Sequence, residues 1–447
     1  MDELPLRGEL PAWLSGSLLR TGPAKFEVGE QSMRHWFDGL AMLHRFTIAD
    51  GRVSYGNRYL ESRSYRAARE RGRIVYSEFA TDPCRSLFKR VQSMFSPSLG
   101  DNANVNVARL GERFVALTET PLPVEFDAQT LQAAAVPPYR APGQLSTAHP
   151  HLDRASGGMI NYAAKLGPSS RYRFFAVSPE GGSPQELGSI PVKEPAYMHS
   201  FGLTERWLVL AEFPLVVNPL ALALSGRPYI ENYRWKPERG TRFTLIDRRN
   251  GEVSGGFETE ACFAFHHVNA YDNGGEVVVD LCAYADAAIV EDLYLERLRT
   301  GTPVAKATLT RFRLTLADRS VRREALCADA VELPRINYGR CNERPYCCVW
   351  ATGIGPSGWL ENVLKVDTRS GATLCWSQEG CYAGEPVFVA RPQSEDEDEG
   401  VLLSVVLDAS TGRSFLLVLD AVDLGEIARA EVPHHIPFGF HGQFARS

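Results

Sequence analysis

Three short stretches of this chain share one pattern: an apolar run, an aspartate, and a turn that closes on glycine. Phe243-Thr-Leu-Ile-Asp247 leads to Gly251, Val363-Leu-Lys-Val-Asp367 to Gly371, and Val405-Val-Leu-Asp408 to Gly412. An aspartate can accept hydrogen bonds from its own turn, and glycine takes positive φ without steric cost, so each copy reads as an outer hairpin. Irregular recurrence of such a unit points to propeller blades rather than to a sandwich.

The segments between these turns agree. Arg171–Val177, Arg206–Phe213, Glu276–Cys282 and Thr308–Leu316 are rich in β-branched and aromatic residues, several in alternation, as half-buried strands are. Helix is sparse: one surface helix is expected over Ala287–Leu298, and a shorter amphipathic one over Phe88–Phe95. No Ser/Gly-rich linker or change of composition marks a boundary. All-β propellers exceed the usual domain size as single units, so residues 1–447 read as one all-β domain.

Charge and cysteine content exclude several functions. A net charge of −6 leaves no basic footprint for nucleic acid. Nine cysteines, with no paired spacing except adjacent Cys347-Cys348, suit free thiols in a reducing cytoplasm rather than disulfides or a cysteine-based zinc motif. The start, Met1-Asp-Glu-Leu-Pro, lacks the apolar core of a secretory signal. The longest apolar stretch, Leu215–Leu224, is interrupted by Asn218 and Pro219 and falls short of a membrane span. The acidic run Glu395–Glu399 precedes the strand-like Val401–Leu407 and reads as a solvated hairpin loop.

Four histidines stand in distinctive surroundings: His149 in Thr-Ala-His-Pro-His, His199 in Tyr-Met-His-Ser-Phe-Gly, His266 in His-His-Val-Asn, and His441 in Phe-Gly-Phe-His-Gly-Gln. Local metal motifs place ligands within a few residues of one another on one element. Here the gaps are 50, 67 and 175 residues, so these side chains converge only if many elements point toward a common axis. Neutral imidazole serves iron, copper, nickel and zinc alike, and does not by itself name a metal.

Taken with Gly16–Pro23, His35–Phe46, Asp101–Val107 and Glu385–Val389, these four blocks resemble the carotenoid cleavage oxygenase family from end to end. The resemblance implies a seven-bladed β-propeller, with loops and short helices capping the face that carries the active site. It implies one Fe(II) held by His149, His199, His266 and His441, with two positions left for O2 or solvent. His149 is preferred over His151, and His266 over His267, which stands second in its pair. Glu119, Glu332 and Glu385 match the carboxylates that orient His199, His266 and His441 respectively. The implied reaction is O2-dependent cleavage of a C=C bond in a carotenoid or apocarotenoid to give two carbonyl products. Stilbene-cleaving relatives carry a lysine where this chain has Thr118, so Thr118 is read as a substrate-side residue that favours an apolar polyene. Retinoid isomerase chemistry at the same centre, or stilbene cleavage, are the alternatives.

Asp82-Pro-Cys84 resembles a block of the animal β-carotene oxygenases and the retinoid isomerase. The segment after it sets Leu87, Phe88, Met94 and Phe95 beside Lys89 and Arg90, the make-up of an interfacial membrane patch. Leu215–Leu224 is a second candidate for that surface. The expected setting is cytoplasmic, with peripheral contact to a membrane that holds the substrate.

Overall fold

A computed structural model describes residues 2–82, 100–134 and 136–446. Strand makes up 48% and helix 9%, so the chain is mostly β, as the recurring hairpins require. Among the described residues, six antiparallel sheets of three to seven strands follow one another along the chain, and two small two-stranded ribbons are each inserted between strands of a single sheet. The four expected strands form, as Arg171–Val177, Trp207–Glu212, Glu276–Tyr284 and Thr308–Thr315.

Two pairings join the ends of the chain. Leu6–Gly8 adds to Glu426–Glu431, and Gly442–Arg446 adds to Gly16–Lys25, with Leu18 opposite Phe444. The first and last sheets are therefore each completed by a strand from the other end of the sequence. Their facing surfaces bury Leu18, Phe46 and Ile48 together with Leu403, Leu416 and Val418. Each such side chain contributes roughly 1.5–3 kcal/mol relative to exposure. A comparable seam stacks Trp350 on Phe388, with ring centroids 4.3 Å apart.

The strand Val321–Arg335 is shared between two halves of the widest sheet. Its first part pairs with Thr308–Thr315, and its last part crosses to Cys348–Ile354. The break in register falls at Glu332, where Leu333 takes φ of 50° just before Pro334. Left-handed backbone at a non-glycine residue costs roughly 1–3 kcal/mol. Both Glu332 and Leu333 line one cavity, together with Trp36, Phe265 and Phe440.

All three aspartate turns close as expected. The N–H groups of Gly251, Gly371 and Gly412 donate to the carbonyls of Asp247, Asp367 and Asp408 at 2.8–2.9 Å, and each glycine has φ between 65° and 73°. The helix expected over Ala287–Leu298 is instead two short pieces, Ala288–Asp292 and Leu295–Arg299. The carbonyl of Leu293 and the N–H of Leu295 pair with Trp36 and Arg34, which diverts the backbone out of the helix. The acidic run does join two antiparallel strands, yet Glu397 and Asp398 are only half exposed and are tied to neighbouring groups. The helix expected over Phe88–Phe95, and Leu87, Phe88, Met94 and Phe95 of the expected membrane patch, lie outside the described residues.

Candidate metal centre

Each candidate ligand is delivered by a local irregularity in a strand-rich framework. His149 comes just before the short strand His151–Leu152, and His199 just before Gly202–Leu203. His266 lies within Phe263–Asn273, whose register slips on both sides of His267. Adjacent residues of a regular strand face opposite ways, and a bulge re-aims one of them. His266 thereby faces the centre, while His267 turns to the Ser200 hydroxyl at 2.8 Å. His441 stands immediately before Gly442–Arg446.

The four imidazoles meet. His149 Nε2 is 3.0 Å from His199 Nε2, and His266 Nε2 is 3.1 Å from His441 Nε2. One ligating nitrogen from each of the four lies within 4.8 Å of the others. His151 is engaged elsewhere, with Nδ1 2.9 Å from the Tyr338 hydroxyl and Nε2 3.0 Å from the Phe201 carbonyl. His35 and His44 are buried within the fold, against the Val290 carbonyl and the Tyr55 hydroxyl.

Behind three of the four rings stand carboxylates. The Nδ1 atoms of His199, His266 and His441 lie 2.7, 2.5 and 2.7 Å from Glu119, Glu332 and Glu385. A neutral imidazole that donates Nδ1–H to a carboxylate presents Nε2 as a bare lone pair. His266 and His441 thus aim two acceptors at each other across 3.1 Å, an arrangement that a cation between them would relieve. Bonds of about 2.1 Å at right angles put neighbouring ligand nitrogens about 3.0 Å apart, the spacing found here. The donor set therefore fits one transition-metal ion.

Electrostatics favour neutral ligands and charged supports. Burial holds His149 well below the ordinary histidine range, and the neighbouring imidazoles add to this. Burial likewise lowers His199, and takes His441 down to about 4 although Glu385 pulls the other way. Burial opposes ionisation of Glu385, but Arg335 and His441 outweigh it and hold the carboxyl at about 2. For Glu332, His266 and the Leu333 N–H overcome the same penalty.

The histidine sequence blocks did not disclose what supports the carboxylates. The Tyr197 hydroxyl donates to Glu119 at 2.7 Å, and the Tyr284 hydroxyl to Glu332 at 2.8 Å. Glu385 instead accepts the Gly442 N–H at 2.9 Å and faces the Arg335 guanidinium at 3.5 Å. Tyr197 did carry a signal, since it opens the Tyr-Met-His block. Tyr284 carried none, and Arg335, three residues after Glu332, gave no sign that its partner is Glu385.

His199, His266 and His441 line a cavity whose walls are largely apolar and aromatic, with Trp36, Phe37, Phe79, Phe265, Trp359 and Phe440 among them. Thr118 and Thr120 line it beside Glu119, and so does Glu78, whose carboxyl burial pushes well above the usual range. An apolar cavity with a few polar groups and a potential metal centre is the usual form of a small-molecule site.

Fold and site together define a mostly-β, metal-binding protein with a four-imidazole centre facing an apolar cavity. The family profile described as retinal pigment epithelial membrane protein matches residues 1–446, and the chain belongs to that family, the carotenoid cleavage oxygenases. The chain is 33% identical to the mitochondrial carotenoid-cleaving dioxygenase of Pongo abelii, over 98% of this chain and 91% of that protein. It is 35% identical to the beta,beta-carotene 15,15'-dioxygenase of Mus musculus, over 98% of this chain and 88% of that protein. A solved structure of a Synechocystis apocarotenoid oxygenase variant superposes with a TM-score of 0.89 at 26% identity, covering 100% of this chain and 95% of its own.

Proposed function

We propose that this protein is a non-haem Fe(II) dioxygenase that cleaves a C=C bond of a carotenoid or apocarotenoid with O2, giving two aldehyde or ketone products. The observation that carries the reading is the convergence of four imidazoles, three of them backed by carboxylates, on the wall of an apolar cavity. The family is iron-dependent. His149, His199, His266 and His441 would hold the ion, which supplies the oxygen chemistry that amino-acid side chains lack. Glu119, Glu332 and Glu385 fix ring orientation and tautomer. The aromatic walls take a polyene by apolar contact, exclude water and align it beside the histidines, with Thr118 and Thr120 as the polar neighbours on the Glu119 side.

The same reading takes residues 1–447 as one domain of seven blades, with loops and short helices capping the active-site face. The handover of Val321–Arg335 between two sets of partners supports dividing the widest sheet into two blades. Peripheral membrane contact is part of it as well. Among the described residues no helix is long and apolar enough to cross a membrane. The helix Pro219–Ser225 exposes Leu220 and Leu224 at 67% and 63%, shortly before the cavity residue Tyr229.

The test is anaerobic purification with iron analysis, then incubation with a panel of carotenoids, apocarotenoids and stilbenes under 18O2. Paired carbonyl products carrying 18O are expected from polyenes. Iron-replete protein that leaves every polyene intact would overturn the assignment. Isomerised product without 18O would point to isomerase chemistry instead.

A further inference from the structure

Outside the four-histidine centre, a second group of ligating atoms is assembled by the acidic loop. Cys347 and Cys348 stand at the start of Cys348–Ile354, and the loop after Val387–Ala390 folds back over them. Glu397 of that loop accepts the backbone N–H groups of Cys347 and Cys348 at 3.0 and 2.7 Å. Its Oε2 lies 3.1 Å from Cys347 Sγ, and the two sulfurs are 3.7 Å apart. All three donor atoms fall within 4.8 Å of one another.

Adjacent side chains in a regular strand point to opposite faces. Here both sulfurs lie on one side, because Cys347 precedes the strand and both amides converge on one carboxylate. Zn–S bonds of about 2.3 Å at the tetrahedral angle set two thiolate sulfurs about 3.8 Å apart, close to the spacing observed. The two N–H bonds to Glu397 fix the carboxylate much as outer partners fix a metal ligand. Cys347 is only partly buried, which gives an ion a route in.

We propose that Cys347, Cys348 and Glu397 bind one thiophilic divalent cation of the zinc class, which staples two neighbouring sheets. Cys348 belongs to the sheet of Cys348–Ile354, with Cys347 just before it, and Glu397 belongs to the loop entering Gly400–Asp408 of the next. The Lys365–Asp398 ion pair at 2.6 Å and the Trp350–Phe388 stack already hold this seam, and the ion adds a coordinate link. On binding, each thiol exchanges its proton for a bond to the metal, so two protons are released per ion with no change of oxidation state.

Titration of the iron-loaded protein with Cd2+ tests this, because cadmium–thiolate bonds absorb in the ultraviolet and imidazole ligation at the iron site does not produce that band. One thiolate-bound Cd2+ per chain is expected, displaced by Zn2+. Affinity should fall at least about tenfold in C347S and in C348S, and about tenfold with the band retained in E397Q. C375S, at an exposed cysteine, should match the parent. Zn2+ should also raise the melting temperature of the parent and not that of the C347S/C348S double variant. The absence of a thiolate band, or equal binding by parent and double variant, would overturn the site. A band without any thermal shift would overturn the staple.

Discussion

The three imidazole–carboxylate pairs differ in what stands behind the carboxylate. Phenols support Glu119 and Glu332, whereas Glu385 is fully buried between a guanidinium and the backbone N–H of Gly442. Removing the charge of Glu385 would deprive the partly exposed Arg335 and the buried Arg20 of their shared anionic neighbour. Losing an outer-shell partner costs roughly ten- to a hundredfold in metal affinity or activity. E385Q is therefore expected at the severe end of that range, with E119Q and E332Q milder, as read by iron content and turnover. H441A should lose iron, while H151A and H267A should keep it, since those rings turn away from the centre to Tyr338 and Ser200. Full iron occupancy in H441A would show that His441 is not a ligand. Two other histidines bear on acid stability. Burial takes His35 and His44 down to about 3 in the folded protein, against about 6.5 unfolded. Between those values the unfolded chain binds more protons, so stability rises with pH across this window and is lost as pH falls below about 6.5. The melting temperature should drop from pH 7 to pH 4, and less steeply in H44Q. An unchanged slope in that variant would place the acid sensitivity elsewhere.

At the scale of elements, the aspartate turn explains both what the sequence disclosed and what it concealed. Three copies were legible because glycine fills the left-handed position. The same closure recurs at Asp127–Leu131, Thr315–Arg319 and Asp420–Leu424, where φ is 58°, 61° and 63°. Leucine and arginine give no turn signal, so these copies were hidden. The divided helix at Leu293 was hidden for a related reason: its backbone partners, Arg34 and Trp36, lie far away in sequence. The site followed the same division. Histidines and glutamates could be read from their local blocks, whereas Tyr284 and Arg335 meet their carboxylates only through convergence across 48 and 50 residues. The turns also allow a test of backbone strain. A Cβ at Gly412 would meet nothing within 4 Å, so G412A isolates the cost of left-handed backbone, roughly 1–2 kcal/mol. Arg319 is exposed at the equivalent place, and R319G should recover part of that cost, offset by the greater freedom of unfolded glycine. Denaturant unfolding should show opposite signs for the two variants. Equal signs would mean that side-chain contacts, rather than backbone conformation, govern these turns.

At the scale of the whole molecule, the two ends of the chain are joined by different strands with different cargo. Leu6–Gly8 completes the sheet of Glu426–Glu431 and carries none of the candidate ligands. Gly442–Arg446 completes the sheet of Gly16–Lys25, directly follows His441, and supplies the Gly442 N–H to Glu385. Deleting residues 2–9 strips two short edge strands, Asp2–Glu3 from the first sheet and Leu6–Gly8 from the last, and the buried Leu4 from the seam between them. Burial of that leucine alone contributes roughly 1.5–3 kcal/mol, so the melting temperature should fall while iron binding survives. A chain ended after His441 keeps all four imidazoles but loses the strand that fixes the last of them, and one of the donors to Glu385. It should lose both thermal stability and iron, and adding excess iron should recover little of either. Iron content and melting temperature, measured together on the two truncations, distinguish closure as mere stabilisation from closure as the device that positions His441. If the second truncation kept full iron at a lowered melting temperature, the terminal strand would serve stability alone.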